Sequence, residues 1–156
     1  MSKNRTGHRV SGVVVKNANK KFSLNEPLIK RIGVEILEIL GKPRDTKLDI
    51  VFLSDKAIKP VNKKYKHSDR ATDVLSFDLG ECGQILISSD TALKNSKVFG
   101  TLFEEEIILY VIHGILHLFG YDDETAREKK KMSAKENRIL KILCAKSSFS
   151  KVLTPR

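Results

Sequence analysis

The sequence is poor in cysteine, in aromatic residues and in negative charge, and it lacks any long apolar run. Its two cysteines, Cys82 and Cys144, stand far apart and outside any C-x-x-C pairing. They cannot build the disulfide framework of a small secreted domain or a four-cysteine zinc module, and they read as reduced, role-free thiols of a cytoplasmic protein. No apolar run reaches the roughly 20 residues that cross a bilayer. Met1 to Gly12 is polar and basic without an apolar stretch, so a secretory leader is not expected. Internal repeats and low-complexity segments are also missing. The shortage of acid is the first functional pointer: 29 Lys and Arg against 19 Asp and Glu leave a net charge of +10. The excess clusters at Lys20-Lys21, Lys63-Lys64-Tyr65-Lys66 and Lys129-Lys130-Lys131. Such a balance favours polyanionic partners through counterion release, although solvated lysines are the plainer explanation of any one cluster. An anionic membrane surface is not favoured, because no segment reads as a basic amphipathic anchor.

What remains is ordinary globular material, 40% hydrophobic and 31% charged over 156 residues. At this length one domain spanning 1–156 is expected, with a core over about 10–145 and frayed basic ends at 1–9 and 146–156. The periodicities predict an α+β fold. Strands are expected at 10–15, 48–53, 73–77 and 84–87, the last two joined by a short glycine-bearing antiparallel turn. Helices are expected at 27–40, from 54 or 55 toward Tyr65, at 88–97, 102–119 and 125–145. Pro60 makes the second helix the weakest of these.

The helix ending before Gly120 carries most of the information. Glu104-Glu105-Glu106 occupy its first turns, where carboxylates suit the positive end of the helix dipole. From Ile107 to Phe119 it is apolar on nearly every side, as a central buried helix must be. Tyr110, His113, Gly114 and His117 are the exceptions. His113 and His117 are four apart, so their imidazoles project from one face and can hold one zinc ion. Core histidines bonded to backbone or carboxylate are the plainer reading of a bare H-x-x-x-H. Gly114, costing roughly 1 kcal/mol of helix propensity against alanine, implies that a ligand or another backbone comes close. After Gly120 closes the helix, Tyr121-Asp122-Asp123-Glu124 can fold back and offer a carboxylate. Asp122 and Asp123 are equally suited to N-capping the next helix, and one can cap while the other ligates. Three protein ligands with an open fourth position make a catalytic zinc site, which activates water.

The run His113-Gly114-Ile115-Leu116-His117-Leu118-Phe119-Gly120-Tyr121-Asp122 resembles the signature of the YbeY family of bacterial zinc-dependent endoribonucleases. Asn62, Tyr65, Asp69 and Thr72-Asp73-Val74-Leu75-Ser76-Phe77 resemble its second block, and Gly83 to Ser88 its strand. Met132, Glu136 and Ile139-Leu140 fit its last helix, so the likeness covers about 48–143. It implies a small mixed sheet of about four strands surrounded by about five helices, with the metal-bearing helix in the centre. It further implies one zinc ion per chain and single-strand-specific cleavage of RNA in 3′-end maturation of ribosomal RNA and ribosome quality control. The partners it implies are ribosomal RNA, the small ribosomal subunit and ribosomal proteins. The third ligand of the family is a histidine six residues after the second, where this chain has Asp123, itself an acceptable zinc ligand. The functional arginine of the family corresponds to Lys66, which keeps the charge but not the two-pronged grip on phosphate. By resemblance the metal set is His113, His117 and Asp123, and Lys66 balances charge on the phosphate. Lys63, Lys64 and Tyr65 are the candidate RNA contacts, Tyr65 either stacking on a base of single-stranded RNA or buried as a core tyrosine. Gly114 stands where an H-E-x-x-H protease carries its general base, which argues against proteolysis. A ribosome-associated binding factor with a structural metal is the alternative reading.

Overall fold

The computed structural model describes residues 11–146 and 148–154. Four strands, β1 (Val13–Asn17), β2 (Leu48–Leu53), β3 (Val74–Asp78) and β4 (Gly83–Ser88), form one sheet in the order β1-β2-β4-β3. β1 and β4 both run parallel to β2, and β3 returns antiparallel beside β4. The turn expected between the last two strands is present, closed by Leu79 N–H to the Cys82 carbonyl at 2.9 Å. Five α-helices accompany the sheet: α1 (Glu26–Ile39), α2 (Asp55–Lys66), α3 (Ser89–Phe99), α4 (Phe103–Leu118) and α5 (Ala126–Lys146). The fold is α+β, as the sequence patterns imply. The first strand begins three residues later than expected, its predicted start at Val10 lying outside the described residues. No helix among the described residues is long and apolar enough to cross a membrane.

Strand alternation sorts the core into two layers. Ile50, Phe52, Ile85 and Ile87 face the large cluster made with α1, α4 and α5, whereas Leu75 and Leu86 meet Ile58 of α2 on the opposite side. Pro60 is exposed and α2 runs past it. Asn62, buried on the same helix, donates to the Arg70 carbonyl at 2.8 Å and ties down the loop entering β3.

α4 lies between the sheet and α5, and this explains its apolar sequence. Ile107, Ile108, Val111, Ile112, Ile115 and Leu116 are all fully buried. Its close approach to the sheet occurs at Gly114, where a Cβ would come within 2.6 Å of Ile85 Cγ2 and 3.1 Å of Val74 Cγ1. The glycine therefore makes room for strand side chains, not for a ligand or another backbone. Ser76 Oγ then donates to the Gly114 carbonyl at 2.9 Å. Gly114→Ala should overpack this contact and cost roughly 1–3 kcal/mol, measurable as a lower urea midpoint.

The expectation of a frayed tail at 146–156 is corrected for residues 148–154; the expected fraying at 1–9 lies outside the described residues. Phe149 and Val152 are buried, Leu153 bridges Leu24, and Asn25 N–H donates to the Val152 carbonyl at 2.7 Å. A Ser- and Lys-rich average hid three apolar residues spaced to dock beside α1.

A carboxylate node joins the start of α2 and the segment after β1 to the start of α3. Asp55 accepts from Ser88 Oγ at 2.5 Å, Thr91 Oγ1 at 2.6 Å and Lys94 Nζ at 2.6 Å. Asp90 accepts from the Asp55 N–H at 2.9 Å, Asn19 Nδ2 at 3.1 Å and Lys21 Nζ at 3.1 Å. Burial alone would raise both carboxyls, but these donors outweigh it and hold both below the ordinary aspartate value of 3.8. The stabilisation is therefore complete above that value and is lost as pH falls through the lower folded values. Asp55→Asn should cost roughly 1–3 kcal/mol at neutral pH, and urea titrations should show the gap to wild type narrowing toward pH ~3.

Candidate metal centre

Two local features bring a carboxylate back to the histidines. α4 ends in a Schellman motif: Gly120, at φ +91°, donates to the His117 carbonyl at 3.2 Å, and Tyr121 N–H reaches the Leu116 carbonyl at 3.1 Å. α5 is then capped by Thr125 and Glu128, not by Asp122 or Asp123. Glu128 N–H donates to Thr125 Oγ1 at 3.1 Å and Thr125 N–H to Glu128 Oε2 at 3.1 Å, a reciprocal capping box. With the cap supplied downstream, Asp123 is free to turn toward α4.

It meets both imidazoles there. His113 Nε2 and His117 Nε2 are 3.0 Å apart, and Asp123 Oδ2 lies 3.5 Å from each. A tetrahedral ion with bonds of roughly 2.0–2.1 Å has ligand-to-ligand edges of about 3.3–3.4 Å. The donor set and its spacing therefore fit a metal ion, and this group of three can hold one. Both rings are about a quarter exposed, at 23% and 25%, so the cluster is rooted in the core yet open to solvent on one side.

The opening is a cleft of about 570 Å³ bounded by α2, β3, α4 and the 120–123 turn. Lys66, Thr72, Asp73, Ser76, Asp78 and Asp122 line it beside the three candidate ligands. Of the residues the sequence nominated, Lys66 thus shares the cleft with His113, His117 and Asp123. Lys63, Lys64 and Tyr65 do not line it. Lys63 pairs with Asp69 at 3.9 Å on the surface. Tyr65 is 54% exposed, packs edge-on against Phe77 and carries Lys64 Nζ 5.2 Å above its ring.

Glu136 is the residue whose place the sequence did not reveal. It reaches from α5 to within hydrogen-bonding range of His113 Nδ1, with its side chain only 13% exposed. Its signal was spacing: Met132 and Ile139, four before and three after it, are buried, which puts Glu136 on the core-facing side of α5. Burial pulls the His113 pKa down, but the hydrogen bond and charge of Glu136, with Asp73 and Asp123, overcome this and leave it above the ordinary histidine value.

A mixed sheet crossed by a buried helix bearing two histidines, with an aspartate folded back onto them, is an α+β arrangement whose donor group could hold a metal ion. The family model described as Endoribonuclease YbeY matches residues 14–144, and the chain belongs to that family. Among its relatives, Endoribonuclease YbeY of Geobacter metallireducens is 34% identical over 143 residues, covering 84% of this chain and 95% of that protein. Endoribonuclease YbeY of Nautilia profundicola is 42% identical over 110 residues, covering 67% and 78%. The solution structure of a Thermotoga maritima protein is also similar, with a TM-score of 0.63 and 28% identity over 86% of this chain and 90% of that one.

His113→Ala and His117→Ala should each abolish retention of a metal ion, and Asp123→Ala should weaken it roughly ten- to hundredfold or more. Elemental analysis of dialysed variants checks this; undiminished metal in both histidine variants would remove the site.

Proposed function

We propose that this chain is a zinc-dependent, single-strand-specific endoribonuclease. It acts as a cytoplasmic hydrolase of RNA phosphodiester bonds in 3′-end maturation of ribosomal RNA and in ribosome quality control. Its partners are then ribosomal RNA, the small ribosomal subunit and ribosomal proteins. The observation that carries the reading is the convergence of His113, His117 and Asp123 on the floor of a cleft that Lys66 also lines. Family membership supports the reaction class, and the net charge of +10 supports an RNA substrate.

Two imidazoles and one carboxylate are a zinc donor set, although the carboxylate also suits manganese. When bound, such an ion supplies Lewis acidity and activates a nucleophile. The protein's own part is positional. His113 and His117 are held by the buried α4, and Asp123 by the Schellman turn and the capping box beyond it. Lys66 places a positive charge on the cleft wall, where it offsets charge growing on the phosphate. Lys63 and Lys64 track the backbone outside the cleft, and the exposed Tyr65 ring offers a face on which a base of single-stranded RNA can stack.

A single-turnover assay on single-stranded RNA tests this. Cleavage should require metal and stop with chelator. Lys66→Ala should slow it by roughly a hundredfold with metal content unchanged, and Lys66→Arg should retain it, because guanidinium can meet two phosphate oxygens. Chelator-insensitive cleavage, or none from metal-loaded wild type, would favour a binding factor with a structural metal.

A further inference from the structure

We infer that Glu136 is a positioning residue for the metal centre, holding the His113 ring in the tautomer that turns a bare Nε2 toward His117 and Asp123. The inference rests on reading the His113, His117 and Asp123 cluster as a metal site. A neutral imidazole carries one proton, on either nitrogen, and only the unprotonated nitrogen can ligate. His113 Nδ1 meets Glu136 Oε1, and an ionised carboxylate can only accept. The proton therefore sits on Nδ1, and the lone pair is left on Nε2, the atom that lies 3.0 Å from His117 Nε2 and 3.5 Å from Asp123 Oδ2.

The carboxylate is well placed to hold that choice. Met132 at 2% exposure and Ile139 at 0% flank it on the same face of α5, so its backbone is fixed by the core. The arrangement is also one-sided. Among the described residues no hydrogen bond is made to His117 Nδ1, while its Nε2 faces His113 and Asp123. A carboxylate behind a ligating imidazole orients the ring and raises its basicity toward the metal. The α5 helix thus contributes to a metal centre to which it supplies no ligand.

Zinc affinity of the full chain, measured by chelator competition, tests the assignment. Glu136→Ala should bind zinc ten- to hundredfold more weakly than wild type. Glu136→Gln should lose less, since its amide oxygen still accepts from Nδ1–H, but it should remain weaker than wild type for want of the charge. Nitrogen NMR of the zinc-free chains, above the pH at which the imidazoles titrate, gives a second readout that a merely structural ion pair would not move. His113 should be protonated at Nδ1 in wild type and Glu136→Gln, and should become a mixture of tautomers in Glu136→Ala. Should Glu136→Ala fail to fold, Glu136→Gln with wild-type zinc affinity would itself overturn the role. Zinc bound equally tightly by wild type and both variants, or a wild-type His113 protonated at Nε2, overturns it as well. A wild-type chain that takes up no zinc overturns the metal centre too, whereas failure to cleave RNA bears on the proposed function and leaves these readouts standing.

Discussion

The close packing of α4 against the sheet is the constraint on which the rest depends. Gly114 lets the helix sink onto Ile85 and Val74, and the Ser76 hydroxyl fastens the helix carbonyl at the same level. His113 immediately precedes that glycine and His117 lies about one turn after it, so the height of both rings above the strands is set by that contact. His117 opens into the cleft, whereas His113 borders both the cleft and a smaller pocket lined by Lys129, Met132 and Glu136 of α5. A metal site of fixed geometry is in this sense a by-product of core packing. The two histidines sit on a helix whose fully buried isoleucines and Val111 leave it little freedom to shift.

Much of this was legible because the relevant signals are local. The alternation in Leu48–Leu53, the continuous apolar run Ile85-Leu86-Ile87 and the apolar body of α4 all follow from burial. The four-residue separation of His113 and His117 is a matter of helical geometry alone. The less legible parts turn on choices between equivalent donors or on contacts distant in sequence. Asp122, Asp123 and Thr125 are all good caps, and only the pairing of Thr125 with Glu128 shows which one serves. Gly114 announced a close approach, but whether a ligand, a backbone or an isoleucine stood opposite depended on the register of a strand some 30 residues earlier. Glu136 fits the family's last helix in sequence, but its place beside His113 depends on the burial of Met132 and Ile139, which turns it toward α4. The docking of the tail at 148–154 is invisible to composition, which averages over Phe149, Val152 and Leu153, each of which makes a specific contact.

The charge distribution has its own logic under the proposed function. Although the chain carries +10 overall, the cleft is lined by Asp73, Asp78, Asp122 and Asp123 against a single lysine, Lys66. Without a cation, that local excess of carboxylate repels a phosphodiester, while Lys63 and Lys64 attract it just outside. The two tendencies oppose each other only until a divalent ion neutralises the floor of the cleft. The surface lysines can then retain a strand of RNA, and Lys66, the one lysine among the cleft-lining residues, becomes the positive group nearest the phosphate beside the metal. Substituting aspartate for a third histidine sharpens this dependence, because it adds a negative charge at the ligand position itself. Under that function the same basic surface would serve two states, holding RNA loosely with the centre empty and delivering the backbone into the cleft with it filled.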